Sequence, residues 1–354
     1  MAGFALRQVL ARSLRAHALV EPADSIEEAI VGAAGIYGTA PTSHLGLAAR
    51  LRRYAPAALD RERLERRAIL RVPGPRGSVF LAPRALVPAF LGLSRPRTAR
   101  RVLVNEGLSE HELDRLLDRL EASLGSESFT ARELRQRLGV DDPGGPRMTL
   151  LLRTMVGEGR AVAAEPVGGE RATAYRYASM AAWAPDIGPR LPVEEALAVM
   201  APLWMQANGP GTVEDLAWWA GVTKRQAKGA LATLDVDTVE VERLDGEQWA
   251  TDEVIAGLSE ARSDSVISFL PVWDAWQMAR RERSRLLDPR HRPFVVDKSG
   301  NVAATITLDG RVVGTWDVDG TTLLVHRFVE VDEDALLAAA ARLRPVAEWT
   351  ALRE

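Results

Sequence analysis

The chain has 354 residues, 47% of them hydrophobic, and a formal net charge of −3. That length accommodates two to four small domains with buried cores, and the mild acidity argues against a protein that simply coats a polyanion. Cysteine is absent, which excludes disulfides, thiolate metal sites and cysteine nucleophiles.

Met1–Leu19 alternates Arg with apolar residues and has no continuous apolar core, so it reads as an amphipathic helix instead of a signal peptide. No run approaches the roughly 18 apolar residues that a membrane span needs. The polar cluster Thr42-Ser43-His44 enters an apolar helix, His44–Leu51, for which Thr42 and Ser43 are ordinary N-cap residues. Leu59–Arg67 reads as a helix and Ile69–Pro83 as a β-hairpin turning at Gly74 and Gly77. The arginine-rich stretch Ser94–Arg101 closes this first unit. Residues 1–100 hold 16 Arg or Lys against 7 Asp or Glu, about +9, which leaves about −12 for the remainder.

The same plan follows twice more. Ser128–Gly139 is a capped helix with a glycine stop, followed by a helix over Met148–Gly157 and a hairpin over Gly159–Tyr177. Trp183–Pro192, with three prolines and a glycine, closes this second unit. Gly209–Gly221 then predicts a turn, a Thr212 N-cap, a short helix and a Gly221 stop, with a second helix from about Lys224. A wing over Val239–Trp249 turns at Asp245-Gly246.

After Glu260 the texture changes. Ser265–Leu270 is β-prone and Pro271–Arg283 reads as helical. Phe294–Val296, Val302–Leu308, Arg311–Asp317 and Thr321–Val331 read as four strands, and Glu333–Leu343 as an amphipathic helix packed on them. The fold class is therefore α+β. Three tandem winged-helix domains, at 1–100, 101–185 and 186–255, precede a small β-rich, barrel-like domain at 256–354.

Helix-turn-helix units with wings point to nucleic acid. Other chemistries lack their residues: there is no phosphate loop and no dinucleotide fingerprint, and the five histidines have no metal-ligand spacing. No cofactor is expected.

Four stretches carry a specific resemblance. They are Arg76-Gly77-Ser78-Val79-Phe80-Leu81, the Gly209–Gly221 segment, Phe269-Leu270-Pro271-Val272-Trp273-Asp274, and Asp309-Gly310-Arg311-Val312-Val313-Gly314-Thr315-Trp316. In order and content the chain resembles the bacterial winged-helix family of alkylpurine and crosslink-unhooking DNA glycosylases. The resemblance implies winged-helix units curved around duplex DNA and an open site that accepts bulky adducts. The family's catalytic motif is Gln-x-Gln or Gln-x-Asp, followed two residues later by Pro. Its place here is Ile36-Tyr37-Gly38-Thr39-Ala40-Pro41, so Tyr37 and Thr39 stand where the family has its two functional residues.

Hydrolysing a cationic alkylpurine needs an exposed C1′, one held water and stabilisation of an oxocarbenium-like centre. Thr39 can hold a water, Tyr37 can do so or stack on the adduct, and Ser43 and His44 extend the polar cluster. A neutral His44 imidazole can activate the water. Asp274 is a candidate carboxylate near the lesion, or a partner for Arg280 or Arg281. Arg76, Arg281, Arg290 and Arg292 are candidate phosphate or groove contacts. With only three lysines, strand cleavage through a Schiff base is not expected.

The expected protein is thus a monomeric, monofunctional glycosylase of bulky N7-alkylated purines in duplex DNA, cytoplasmic and nucleoid-associated. It serves base excision repair or self-resistance to a genotoxic antibiotic. A non-catalytic DNA-binding protein, a transcription regulator or a lesion-binding shield, is the alternative.

Overall fold

The computed structural model describes residues 2–94, 96–125, 127–140, 145–168, 174–261 and 265–353. The chain packs as two compact units. One comprises Met1–Tyr37, Pro41–Ala58 and Ala198–Glu354, the other Gly38–Ala40 and Leu59–Leu197.

In the second unit, Ile69–Pro73 and Val79–Pro83 pair antiparallel, with Ile69 opposite Pro83 and Pro73 opposite Val79. The turn between them is tight because Gly74 donates its N–H to the Ser78 carbonyl at 2.8 Å. A Cβ on Gly74 would lie 2.7 Å from a Phe90 ring carbon, so this turn admits glycine alone. The helix expected over Leu59–Arg67 is a short helix, Pro56–Asp60, running into a π-turn, Arg61–Glu65. The arginine-rich stretch after Ser94 is helical over Pro96–Asn105, and Arg95 lies outside the described residues.

Further along this unit, Glu110–Leu124, Ala131–Leu138 and Pro146–Glu158 bury one leucine-rich core that includes Leu113, Leu117, Leu120 and Leu134. Spacings of three and four put these side chains on single helix faces. Thr130 caps the Ala131–Leu138 helix through the Glu133 N–H at 3.2 Å, and Glu133 returns a bond to the Thr130 N–H at 2.7 Å. Gly139 ends it at φ 61°, as its sequence predicts. The following hairpin pairs Ala161–Pro166 with Tyr175–Ser179, its 169–173 tip lying outside the described residues.

In the first unit, helix Val213–Ala220 begins at the Thr212 cap, which accepts from the Asp215 N–H at 3.0 Å, and stops at Gly221, φ 73°. Helix Lys224–Leu231 follows, then the antiparallel strands Val236–Val241 and Gln248–Thr251. The N-terminal strand Ala2–Phe4 joins them in parallel beside Val239–Val241, and helix Leu6–Ala16 leads away from it.

The C-terminal residues form a five-stranded sheet in the order Ile267–Leu270, Thr305–Leu308, Arg311–Asp319, Thr322–Arg327 and Ala351–Arg353. The expected barrel-like closure does not occur. The last strand pairs in parallel with Thr322–Arg327, so the sheet stays open between two different edges. Phe294–Val296 was expected as a strand but lies mostly in a helical turn, Arg292–Val295, because Pro293 fixes a helical φ at its start. The Pro271–Arg283 helix contracts to Ala275–Met278. Helix Glu333–Ala340 does pack on the sheet, adding Leu336 and Ala340 to a core with Trp316, Leu323 and Val325.

Candidate active site

The segment after the altered motif is a helix, Thr42–Arg50. Pro41 occupies its N-cap without a side-chain cap, so Thr42 and Ser43 lie inside the first turn. That corrects the expectation that they cap a helix starting near His44. Proline's fixed φ lets the helix start two residues early. Both side chains are 3% exposed, and neither hydroxyl has a hydrogen-bond partner among the described residues. Neither oxygen is among the fully buried polar atoms left without a partner, so each hydroxyl keeps some access to a water or substrate.

His44 is 5% exposed, and its Nδ1 lies 2.6 Å from the Tyr54 hydroxyl oxygen. When Nδ1–H donates to that oxygen, Nε2 carries the lone pair that a water-activating base needs. Tyr54 fixes the ring's orientation, the part that an aspartate plays in other base-assisted hydrolases.

The other end of this helix is anchored by charge. Arg50 is fully buried, and its guanidinium donates to both Asp274 oxygens at 2.9 and 2.7 Å. It also donates to the Gly46 carbonyl at 3.0 Å. Asp274 further caps helix Ala275–Met278 by accepting from the Trp276 N–H at 2.9 Å. The sequence suggested Arg280 or Arg281 as its partner. Arg280 instead donates to the Asn208 carbonyl, and Arg281 gives its backbone N–H to Asp215 at 3.1 Å. Arg285 lies 4.0 Å from Asp215, so that carboxylate is engaged by the 281–285 stretch.

The resemblance-bearing stretches of this unit interlock. Trp276 donates to the Gly310 carbonyl at 3.2 Å, and Trp316 donates to the Leu270 carbonyl at 3.0 Å. Gly310 sits at φ 79°, and a Cβ there would come within 2.8 Å of the Trp276 ring. Trp316 and Phe269 share a core cluster with Leu45 of the 42–50 helix. Trp219 is core, whereas Trp218 lies half-buried with the Arg283 guanidinium 5.5 Å from its ring centroid.

Tyr37 is 7% exposed and ends the strand Ile36–Tyr37. Thr39 lies in the short Gly38–Ala40 stretch that packs with the second unit. There the Gly38 N–H donates to the Val79 carbonyl at 2.8 Å, and Arg71 donates to the Gly38 carbonyl at 2.8 Å. Thr39 is half-buried, and its hydroxyl has no partner among the described residues.

The cationic candidates separate. Arg76 is half-buried at φ 57° in the Pro75–Gly77 turn. Arg290 pairs with Asp288 at 2.8 Å, and through these bonds it holds that carboxyl well below the usual carboxylate range. Arg281 and Arg292 are exposed, and their side chains make no ion pair among the described residues.

Sequence reasoning missed Tyr54, Arg50 and His17. His17 is fully buried, 3.0 Å from Asn208 and edge-on to Trp276 at 5.1 Å. A charged Arg50 within an otherwise apolar helix was the available signal, because an arginine there needs a buried anion. Among the described residues no three His, Asp or Glu gather to hold a metal ion, and no helix is long and apolar enough to cross a membrane.

Helix pairs followed by antiparallel hairpins occur at residues 131–179 and 213–251, an arrangement used by proteins that work on nucleic acid. The family model described as DNA glycosylase AlkZ-like matches residues 33–346, and the chain belongs to this DNA glycosylase family. Its fold is that of the Streptomyces sahachiroi DNA glycosylase AlkZ, with a TM-score of 0.83 over 100% of both chains at 19% identity. No curated protein sequence matches it.

Proposed function

We propose that this chain is a monofunctional glycosylase that hydrolyses the N-glycosidic bond of bulky, N7-alkylated purines in duplex DNA. The observation that carries the proposal is the start of the 42–50 helix. There the hydroxyls of two nearly enclosed side chains, Thr42 and Ser43, bond to no described residue, and the adjacent imidazole is oriented by Tyr54.

Alkylation at N7 makes the purine cationic, so it departs without a proton. The enzyme then has to hold one water and tolerate positive charge at C1′. In the proposed division of labour, Ser43 holds a water through its hydroxyl, His44 accepts its proton and Tyr37 faces the adduct; Thr39 keeps the water-holding role that its motif position suggests. Asp274, held bidentately by Arg50, fixes the helix instead of touching the water. Neutral groups suffice because the leaving group already carries the charge.

The three helix–helix–hairpin units are read as winged helices at 1–100, 101–185 and 186–255, followed by the open-sheet domain at 256–354. Arg76, Arg281 and Arg292 are assigned to phosphates, and Arg290 joins them only if DNA displaces Asp288. The protein acts as a cytoplasmic monomer in base excision repair or antibiotic self-resistance, without lyase activity.

One observation favours a second reading. Tyr37 and Thr39 replace the family's catalytic pair, as they would in a protein that binds lesions without excising them. Release of free 7-methylguanine or a bulkier N7 adduct from defined duplexes decides between the two.

A further inference from the structure

Four rings from two distant stretches of the first unit meet at the surface. His291 stacks on Phe328 with 4.3 Å between centroids and 7° between planes. Phe294 leans on Phe328 at 5.8 Å and on His326 at 5.6 Å, and His326 stands edge-on to Phe328 at 5.3 Å. These rings do not belong to the core. Strand Thr322–Arg327 sends Leu323 and Val325 inward and leaves His326 on the solvent side. Phe294 is 58% exposed, more than any other large hydrophobic side chain described, and nearby Val329 is 48% exposed.

A preorganised aromatic cluster left in water marks a contact surface. Its charge says what kind. Arg292, next in the chain to His291, is exposed, and its guanidinium has neither an ion pair nor a hydrogen bond among the described residues. An unengaged guanidinium beside stacked rings complements a nucleotide, which offers one flat face and one phosphate. Excising a base necessarily leaves its former partner unpaired, so an unpaired base is available in the product of this reaction.

We propose that His291, Phe294, His326 and Phe328 form a stacking platform for an unpaired nucleobase of the bound DNA, with Arg292 meeting the adjoining phosphate. The platform rests on DNA being the substrate and is independent of which adduct is excised. It accepts any base, because every base has a π-face.

The test uses the full chain and a duplex carrying 2-aminopurine opposite a tetrahydrofuran abasic analogue. Wild type quenches the 2-aminopurine fluorescence on binding. Phe294→Ala loses the quench and binds about tenfold more weakly, whereas Phe294→Trp retains both. Arg292→Ala lowers the salt slope by about one charge and keeps the quench. Unchanged quenching and affinity in Phe294→Ala, with wild type binding the duplex, would overturn the platform and leave the DNA reading intact. Failure of wild type to bind any DNA would remove the DNA reading and the platform with it. A concentration-dependent dimer lost in Phe294→Ala would assign the cluster to a second copy and overturn the proposal.

Discussion

Arg50 and Asp274, separated by 224 positions in sequence, form a two-pronged ion pair with both side chains essentially shut off from water. The pair ties the helix carrying Ser43 and His44 to the segment Phe269–Asp274, so the candidate site inherits its position from one buried contact. Removing either partner alone strands a charge in the interior. Arg50→Met or Asp274→Asn is therefore expected to cost about 3–5 kcal/mol of unfolding free energy. Urea denaturation of both singles and the double variant checks this: the double should cost clearly less than the sum of the singles.

His17 links stability to acidity. Burial holds its pKa well below the usual 6.5, the Arg50 charge pushes the same way, and the Asn208 hydrogen bond only partly opposes them. Folded His17 stays neutral, whereas the unfolded chain takes up a proton below about pH 6.5. The unfolded state then binds more protons, so stability falls as pH drops from about 6.5 towards the lowered folded value. The expected slope is about 1.4 kcal/mol per pH unit, with no contribution above that window. In His17→Gln that part of the stability–pH curve should flatten.

Tyr54 acts through His44. Tyr54→Phe removes the hydroxyl that orients the imidazole, and excision is expected to slow about tenfold with DNA affinity unchanged. His44→Ala should slow it about a hundredfold or more. Single-turnover excision read alongside binding of the same duplex separates the two effects from a loss of fold.

Gly38, between the two altered motif positions, has no room for a side chain. A Cβ there would lie 2.9 Å from the Phe80 carbonyl carbon and 3.0 Å from its oxygen, both rigid backbone. Gly38→Ala should cost about 1–3 kcal/mol by displacing the strand and should depress activity beyond that of Thr39→Ala. Thermal melts and excision by the two variants provide the comparison.

The local signals in the sequence were strong where chemistry is local. Thr130 and Thr212 cap their helices, and Gly139 and Gly221 stop them, because caps depend on neighbours within one turn. The C-terminal sheet was harder. Ala351–Arg353 becomes a strand only by pairing with Thr322–Leu324, and nothing within three residues signals that partner. At the candidate site, the polar cluster Thr42-Ser43-His44 was legible as unusual, yet its capping role was misjudged because Pro41 moves the helix start. The Arg50–Asp274 and His44–Tyr54 contacts are tertiary, and residue type alone shows that Arg50 needs an anion without showing which one.

Excision is read by base release from duplexes carrying 7-methylguanine and bulkier N7 adducts, with abasic sites revealed by alkali. Wild type is predicted to release the modified base. At least one of Tyr37→Phe, Thr39→Ala, Ser43→Ala and His44→Ala should abolish release while still binding the duplex. Tight binding by wild type without release of any adduct would contradict the account and leave a lesion-binding or regulatory protein.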